Sequence, residues 1–183
     1  MIKLALLFSL IACGLMGQRE KGERAPTFET LPIPHYTYPS KTDKDLARIF
    51  EVKPWSTKKL LCFDTHYVGV DFKYFTEYTA WFNKFRDKYC PTHREDAFDC
   101  DNFAFLYKDF MIASVFKKKN LRQILVGVIV VSATKEFHGI GGTAGMHALC
   151  IIHTSAGWYV VEPQNGKYTE LEKYTNPIIK YIF

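Results

Sequence analysis

Residues 146–164 read Met146-His147-Ala148-Leu149-Cys150-Ile151-Ile152-His153-Thr154-Ser155-Ala156-Gly157-Trp158-Tyr159-Val160-Val161-Glu162-Pro163-Gln164. Two runs rich in β-branched and aromatic residues flank Ser155-Ala156-Gly157. The stretch therefore predicts a hairpin, with strands at Met146–Thr154 and Trp158–Glu162 and a tight turn between them. Alternation sets His147, Leu149, Ile151 and His153 on one face and Ala148, Cys150 and Ile152 on the other. The turn's register places Glu162 opposite roughly Leu149, within two residues of His147 across the ladder. A further strand is expected upstream at Leu125–Ala133, which is dense in Val and Ile. The intervening Lys135–Gly145 carries Gly139, Gly141, Gly142 and Gly145, a loop that is flexible or needs positive φ.

Helical patterns precede these strands. A short helix is expected over 43–50, with Ser40 and Thr42 as capping candidates. A longer one covers about 71–89, where Phe72, Phe75, Thr79, Phe82 and Tyr89 recur near helical spacing with Tyr74, Tyr78, Trp81 and Phe85 alongside. So wide an apolar stripe reads as core packing. A third helix begins at about Asp99, and Cys100, Phe103, Ala104, Tyr107 and Met111 share one of its faces. Helices first and an antiparallel sheet after them make the expected fold class α+β.

The chain has 183 residues, room for one folded domain. Its aromatic share of 16% is enough for a core that needs no metal or disulfide staple. The net charge of +5 is spread out, and the longest basic run is only Lys117-Lys118-Lys119, expected to be a solvated helix end or loop. A nucleic-acid reader would show a basic stripe with base-reading motifs, so no nucleic-acid partner is expected.

The N-terminus, Met1 to Met16, sets one Lys before an apolar run too short to span a bilayer, the shape of a secretory signal. Leu10-Ile11-Ala12-Cys13-Gly14 resembles the bacterial lipobox, which implies cleavage before Cys13 and its lipidation. The expected organisation is a signal peptide at 1–12, a lipid-anchored tether rich in Gly and Pro at 13–42, and a folded domain at 43–183. Such a chain is exported and held on the periplasmic or cell-surface side of a membrane. With Cys13 set aside, Cys62, Cys90, Cys100 and Cys150 remain, and Cys62–Cys90 is the expected disulfide. No cysteine or histidine cluster has zinc spacing.

Cys100, His147 and Glu162 carry the chemistry that the pattern suggests. Cys100, in Phe98-Asp99-Cys100-Asp101-Asn102-Phe103, lies in the first turn of its helix, where unpaired N–H groups and the helix dipole favour a thiolate. Asp99 and Asp101 work against that and also cap the helix. His147 opens a strand behind the Gly-rich loop, and Glu162 on the next strand is near enough to orient its imidazole. His153 shares that face but lies about 20 Å along it, too far to join them. His138 is expected to be a solvated loop residue and Trp158 to pack.

A Cys at a helix start, a His opening a later strand and a carboxylate on the following strand resemble the order of transglutaminase-like and papain-like enzymes. The strings Asp99-Cys100-Asp101-Asn102-Phe103-Ala104, His147-Ala148 and Trp158 to Gln164 look most like the papain-like C-terminal domain of the fungal galactose-binding agglutinin family. That resemblance covers roughly residues 60–170. It implies a papain-like or transglutaminase-like α+β fold, with N-terminal helices packed on a small antiparallel sheet. It also implies Cys100 as nucleophile, His147 as base and Glu162 as orienter, with a divalent cation, usually calcium, held partly by Asp99 and Asp101. Two departures stand out: the chain has no lectin domain, and Asn102 stands where relatives often have Asp.

The function expected on this basis is an exported, lipid-anchored thiol hydrolase, a cysteine peptidase acting on peptide, protein or cell-wall peptide substrates through a Cys-His-Glu triad. Its oxyanion hole would use the Cys100 N–H and a second donor. A cell-wall endopeptidase is an alternative. So is a catalytically inactive surface lipoprotein that keeps the fold and binds a partner, such as a phage-exclusion module.

Overall fold

The computed structural model describes residues 26–51, 59–90, 99–118, 122–133, 139–140 and 145–183. The signal and lipobox, with Cys13, lie outside the described residues, as does His138.

The hairpin forms as its sequence dictates. Strand β5 (Gly145–Thr154) runs antiparallel to β6 (Gly157–Glu162), pairing Cys150 with Val161 through to Thr154 with Gly157, which is the expected register. Gly157 closes the turn at φ +114°, a conformation that a side chain would strain. On its other edge β5 pairs with β4 (Val126–Ala133), from Val126 opposite Ile152 to Ala133 opposite Gly145. Beyond β4 lie β8 (Ile178–Ile182), antiparallel to it, and β2 (Lys59–Leu61), parallel to β8. Where β4 begins, β3 (His66–Val70) touches β5 in parallel at Val70 and Thr154, and β1 (Tyr36–Thr42) pairs with β3. β7 (Lys167–Glu170) extends the sheet from β6.

The expected architecture of N-terminal helices on a small antiparallel sheet is therefore corrected. The sheet has eight strands, mixes parallel and antiparallel pairs, and forks at β5. The strands absent from the expectation are short, and β1 contains Pro39, which an edge strand tolerates because its N–H side need not pair. Residues 36–42, read as the end of a tether, belong to the sheet.

Helix α1 (Asp43–Ile49) starts at Thr42, whose hydroxyl accepts from the Asp45 N–H while the Asp45 carboxylate accepts from the Thr42 N–H. Helix α2 (Phe72–Tyr89) follows Asp71, whose side chain accepts from the Lys73 N–H. Helix α3 (Cys100–Ala113) runs on into a 3-10 turn at Ser114–Lys117. Among the described residues no helix is long and apolar enough to cross a membrane.

Period-two strands send alternate side chains to two apolar layers. Val126, Val128, Ala148, Cys150, Ile152, Tyr159 and Val161 meet α2 and α3 in the first. Ile129, Val131, Leu149, Ile151 and Val160 meet Leu46, Phe50, Tyr181 and Phe183 in the second. Tyr74, Phe75, Tyr78, Phe82 and Tyr107 are buried, each adding ~1.5–3 kcal/mol of apolar burial. The two layers also explain the thiols. Cys90 packs in the first layer and is disulfide-bonded, whereas Cys62 packs against the second and is free. The sheet stands between them, so the Cys62–Cys90 bridge does not form.

Candidate functional site

The first residue of α3 is Cys100 because Asp99, in extended backbone, ends the preceding segment. The Asp99 N–H donates to Asn102 Oδ1 at 3.2 Å, and the Asn102 N–H to Asp101 Oδ1 at 2.9 Å. These bonds use donors that a helix start leaves unpaired. Cys100 is half-buried against the first apolar layer.

β5 and β6 stop pairing at Cys150 and Val161. Beyond that point the strands leave room for two polar side chains. His147 Nε2 lies 2.7 Å from Glu162 Oε2, with side chains only 11% and 4% exposed. Cys100 is near enough for its sulfur to act electrostatically on the same imidazole. The three residues singled out in the sequence thus come together at one end of the sheet, with the carboxylate bonded to the imidazole and the thiol near it.

Glu162 is held from several sides. Its Oε1 accepts from the Gln164 N–H at 3.1 Å, and its carbonyl accepts from the N–H groups of Asn165 and Gly166. Arg86 of α2 donates to the Pro163 carbonyl at 3.1 Å and to Asn83 Oδ1 at 2.9 Å. Gly166 sits at φ +72°, where an added Cβ would run into the Asn83 side chain. None of these supports was visible in the sequence. Arg86 shows only as a cation in the last turn of a helix, and its target lies across the fold.

Burial alone would lower the His147 pKa. The interactions with Cys100 and Glu162, with the Glu162 charge, outweigh it and raise the pKa to about 9. His147 therefore carries its proton at neutral pH and donates it to Glu162. A cationic imidazole beside Cys100 supplies the counter-charge that a thiolate needs.

Asp99 and Asp101 hydrogen-bond to each other, which pushes Asp99 below and Asp101 above the usual carboxylate range. Asp99 Oδ1 is buried without a hydrogen-bond partner among the described residues. Calcium takes 6–8 oxygens. Among the described residues no group of three or more His, Cys, Asp or Glu is arranged to hold a metal. These two carboxylates alone do not make up a calcium site.

The expected outliers take other roles. His153 packs on Trp158, with ring centroids 4.8 Å apart, and Trp158 in turn contacts Phe50 and Phe183, so Trp158 is a packing residue.

Comparison with known proteins identifies the setting. The family profile described as the Ricin-type beta-trefoil lectin C-terminal domain matches residues 48–181. The fold is similar to the structure titled PSL1a-E64 complex, at 18% identity and TM-score 0.58, over 79% of this chain and 50% of that one. It is also similar to the Polyporus squamosus lectin bound to the human-type influenza-binding epitope Neu5Aca2-6Galb1-4GlcNAc, at 17% identity and TM-score 0.58, over 79% of this chain and 49% of that one. The chain spans about half the length of these structures. No curated protein matches it in sequence.

These findings correct the expectation of a papain-like or transglutaminase-like cysteine peptidase acting on peptide, protein or cell-wall peptide substrates. The family is that of a lectin C-terminal domain, and the neighbour named for its function is a lectin bound to an oligosaccharide. The physical reason is that three short motifs define a local arrangement of helix start and strand ends. One such arrangement occurs on several folds and does not assign an activity.

Proposed function

The chain belongs to the Ricin-type beta-trefoil lectin C-terminal domain family, and from that premise we propose that it is a surface-displayed binding module whose partner is a glycan or glycoconjugate. The family match across residues 48–181 carries this reading. The structural neighbour bound to Neu5Aca2-6Galb1-4GlcNAc supplies the first ligand to try. Because the neighbours are about twice as long, the test uses this chain by itself: calorimetric titration with that trisaccharide, followed by a glycan array. Saturable binding supports the module. An empty array with folded protein moves glycan recognition to the part of the neighbours that this chain lacks. The lipobox resemblance suggests an anchor, acyl chains on Cys13, which requires that Cys13 not be the partner of the disulfide-bonded Cys90; the mass of the membrane-extracted protein before and after reduction tests this.

A second reading concerns the site residues, and the geometry at His147 favours it. Cys100 stands beside a protonated His147, whose positive charge favours the thiolate, and Glu162 orients and holds that imidazolium. Iodoacetamide reads this directly. The Cys100 thiol loses its proton to solvent beside the imidazolium, the thiolate sulfur bonds to the reagent's methylene carbon, and iodide leaves. Labelling of Cys100 below pH 7 that is faster than that of the free Cys62, and is lost in His147→Ala, supports the assignment. Equal rates at the two thiols overturn it.

A further inference from the structure

We propose that the groove between α3 and the β8–β2 edge of the sheet binds a fatty-acid carboxylate, its head on Lys108 and its chain along Leu61 and Phe63. Among the described residues the buried side chains that carry a full charge are Glu162 and Lys108. Glu162 is held by His147 and by the Gln164 N–H. Lys108 is only 8% exposed, and its ammonium has neither a hydrogen bond nor an ion pair among the described residues. A buried cation without an anion is costly, and a well-placed anion offsets that cost. The Lys108 nitrogen is not sealed from solvent, so a ligand can reach it.

The strand register locates the groove. Cys150, Val128, Ile182 and Leu61 stand side by side across β5, β4, β8 and β2, on the face that packs against α2 and α3. The Cys150 thiol donates to the Ala104 carbonyl, which seats α3 over that end of the row. Lys108 is one turn beyond Ala104 on the same side of the helix. Its charge acts on Cys150 and, past the end of β2, on Asp64. The ammonium therefore lies between the covered part of the row and the open edge. The cover runs out along the row: Cys150 and Val128 are buried, Ile182 is half-buried, and Leu61 is 45% exposed. Phe63, two residues further on the same face, is 74% exposed. Phe105 and Ile112, one turn before and after Lys108, form the helix side of the groove.

The charges around this groove favour an anion. Lys180 and Lys59 pair in register on the same face, two residues from Ile182 and Leu61. Asp64 and Asp109 stand against these lysines, but burial pushes the Asp109 carboxyl above its usual range, toward the neutral form. From Ile182 across to Leu61 and along to Phe63 is about 10 Å, one strand spacing and two residues of strand. A neutral sugar would leave the ammonium unpaired, and a bare inorganic anion would leave this track uncovered. A carboxylate on an alkyl chain meets both demands.

Calorimetric titration of the full chain with decanoate, kept below its micelle concentration, tests this independently of the glycan and thiol readings. One saturable site is expected, with amide shifts confined to 59–63, 104–112 and 180–182 and the His147 resonances unmoved. Acetate, which lacks the chain, and decyltrimethylammonium, which reverses the charge of the head, should each bind at least about tenfold more weakly. Lys108→Met keeps an apolar stem and removes the charge, so it should fold and lose about tenfold in affinity, with Lys108→Arg recovering part of the loss. Leu61→Ser, at an exposed position, should lose about threefold. If Lys108→Met does not fold, Leu61→Ser and the head-group comparison decide. No saturable decanoate binding, equal binding of decyltrimethylammonium, or unchanged affinity in Leu61→Ser or in a folded Lys108→Met would each overturn the proposal.

Discussion

β5 carries a histidine near each end, on the same face of the strand, and their surroundings act in opposite directions. His147 has the Glu162 carboxylate at 2.7 Å and Cys100 nearby; burial pulls its pKa down and these partners lift it to about 9. His153 is partly buried against Trp158, and its Nδ1 has no hydrogen-bond partner among the described residues. Burial, with a contribution from the Lys41 charge, holds its pKa below the usual value. Strand geometry and burial are similar at the two ends. What differs is the presence of a fixed anion, so the partner and not the depth decides which imidazole is charged at pH 7.

Glu162→Gln is the most direct way to break this contrast. It leaves the turn at 162–166 in place but removes the charge. The His147 pKa should fall by about two units, and neutral-pH stability by roughly 2–3 kcal/mol, read by NMR titration and urea unfolding. A His147 pKa that stays near 9 would show that Cys100 alone holds the proton.

Gly69→Ala attacks the other end. A Cβ at Gly69 would collide with Thr37 Oγ1 and His153 Nδ1, with no unusual backbone angle involved. The expected cost is about 1–3 kcal/mol in urea unfolding, with the His147 titration unmoved.

The pH profile sharpens the contrast without changing the core. A raised histidine pKa contributes stability that is complete below the unfolded value of 6.5 and is lost as pH rises toward about 9. A lowered one contributes stability present above 6.5 and lost as pH falls. Unfolding free energy should therefore peak near pH 6–7 and decline on both sides. His147→Gln should flatten the alkaline limb and His153→Gln the acid limb. A profile that slopes the same way in both variants would contradict the assignment.

The smallest effect is expected from Arg86→Met, which removes the bonds to Pro163 and Asn83. A loss of ~1 kcal/mol is expected, with a drop of a few tenths in the His147 pKa as Glu162 loosens.

Much of the site was legible because its signals are local. Asp99 and Asp101 mark a helix start, so Cys100 could be set on its first turn. Ser155-Ala156-Gly157 sets the hairpin register, so Glu162 could be brought near His147. The sheet was less legible. Val68-Gly69-Val70 and Ile178-Ile179-Lys180-Tyr181-Ile182 do carry strand-forming residues, but such short runs do not reveal their partners. β8 reaches β4 across more than forty residues of chain, and β2 then adds in parallel. The peptidase expectation failed on the same ground: it carried a local arrangement over to a whole protein's activity.

By itself the sequence determined the elements whose cause lies within a few residues: the capped starts of α1, α2 and α3, the β5–β6 register, and the faces that alternate side chains share. Period two and period 3.6 act over one or two turns of chain, so they need no distant contact. The tertiary structure decided the rest. It covered both faces of the sheet, which separated Cys62 from Cys90. It also brought Arg86 onto the turn that holds Glu162, set Cys100 near His147, and left His153 without an anion among the described residues. Each of these depends on which distant surface is buried against which, and burial is a non-directional force that local pattern does not steer.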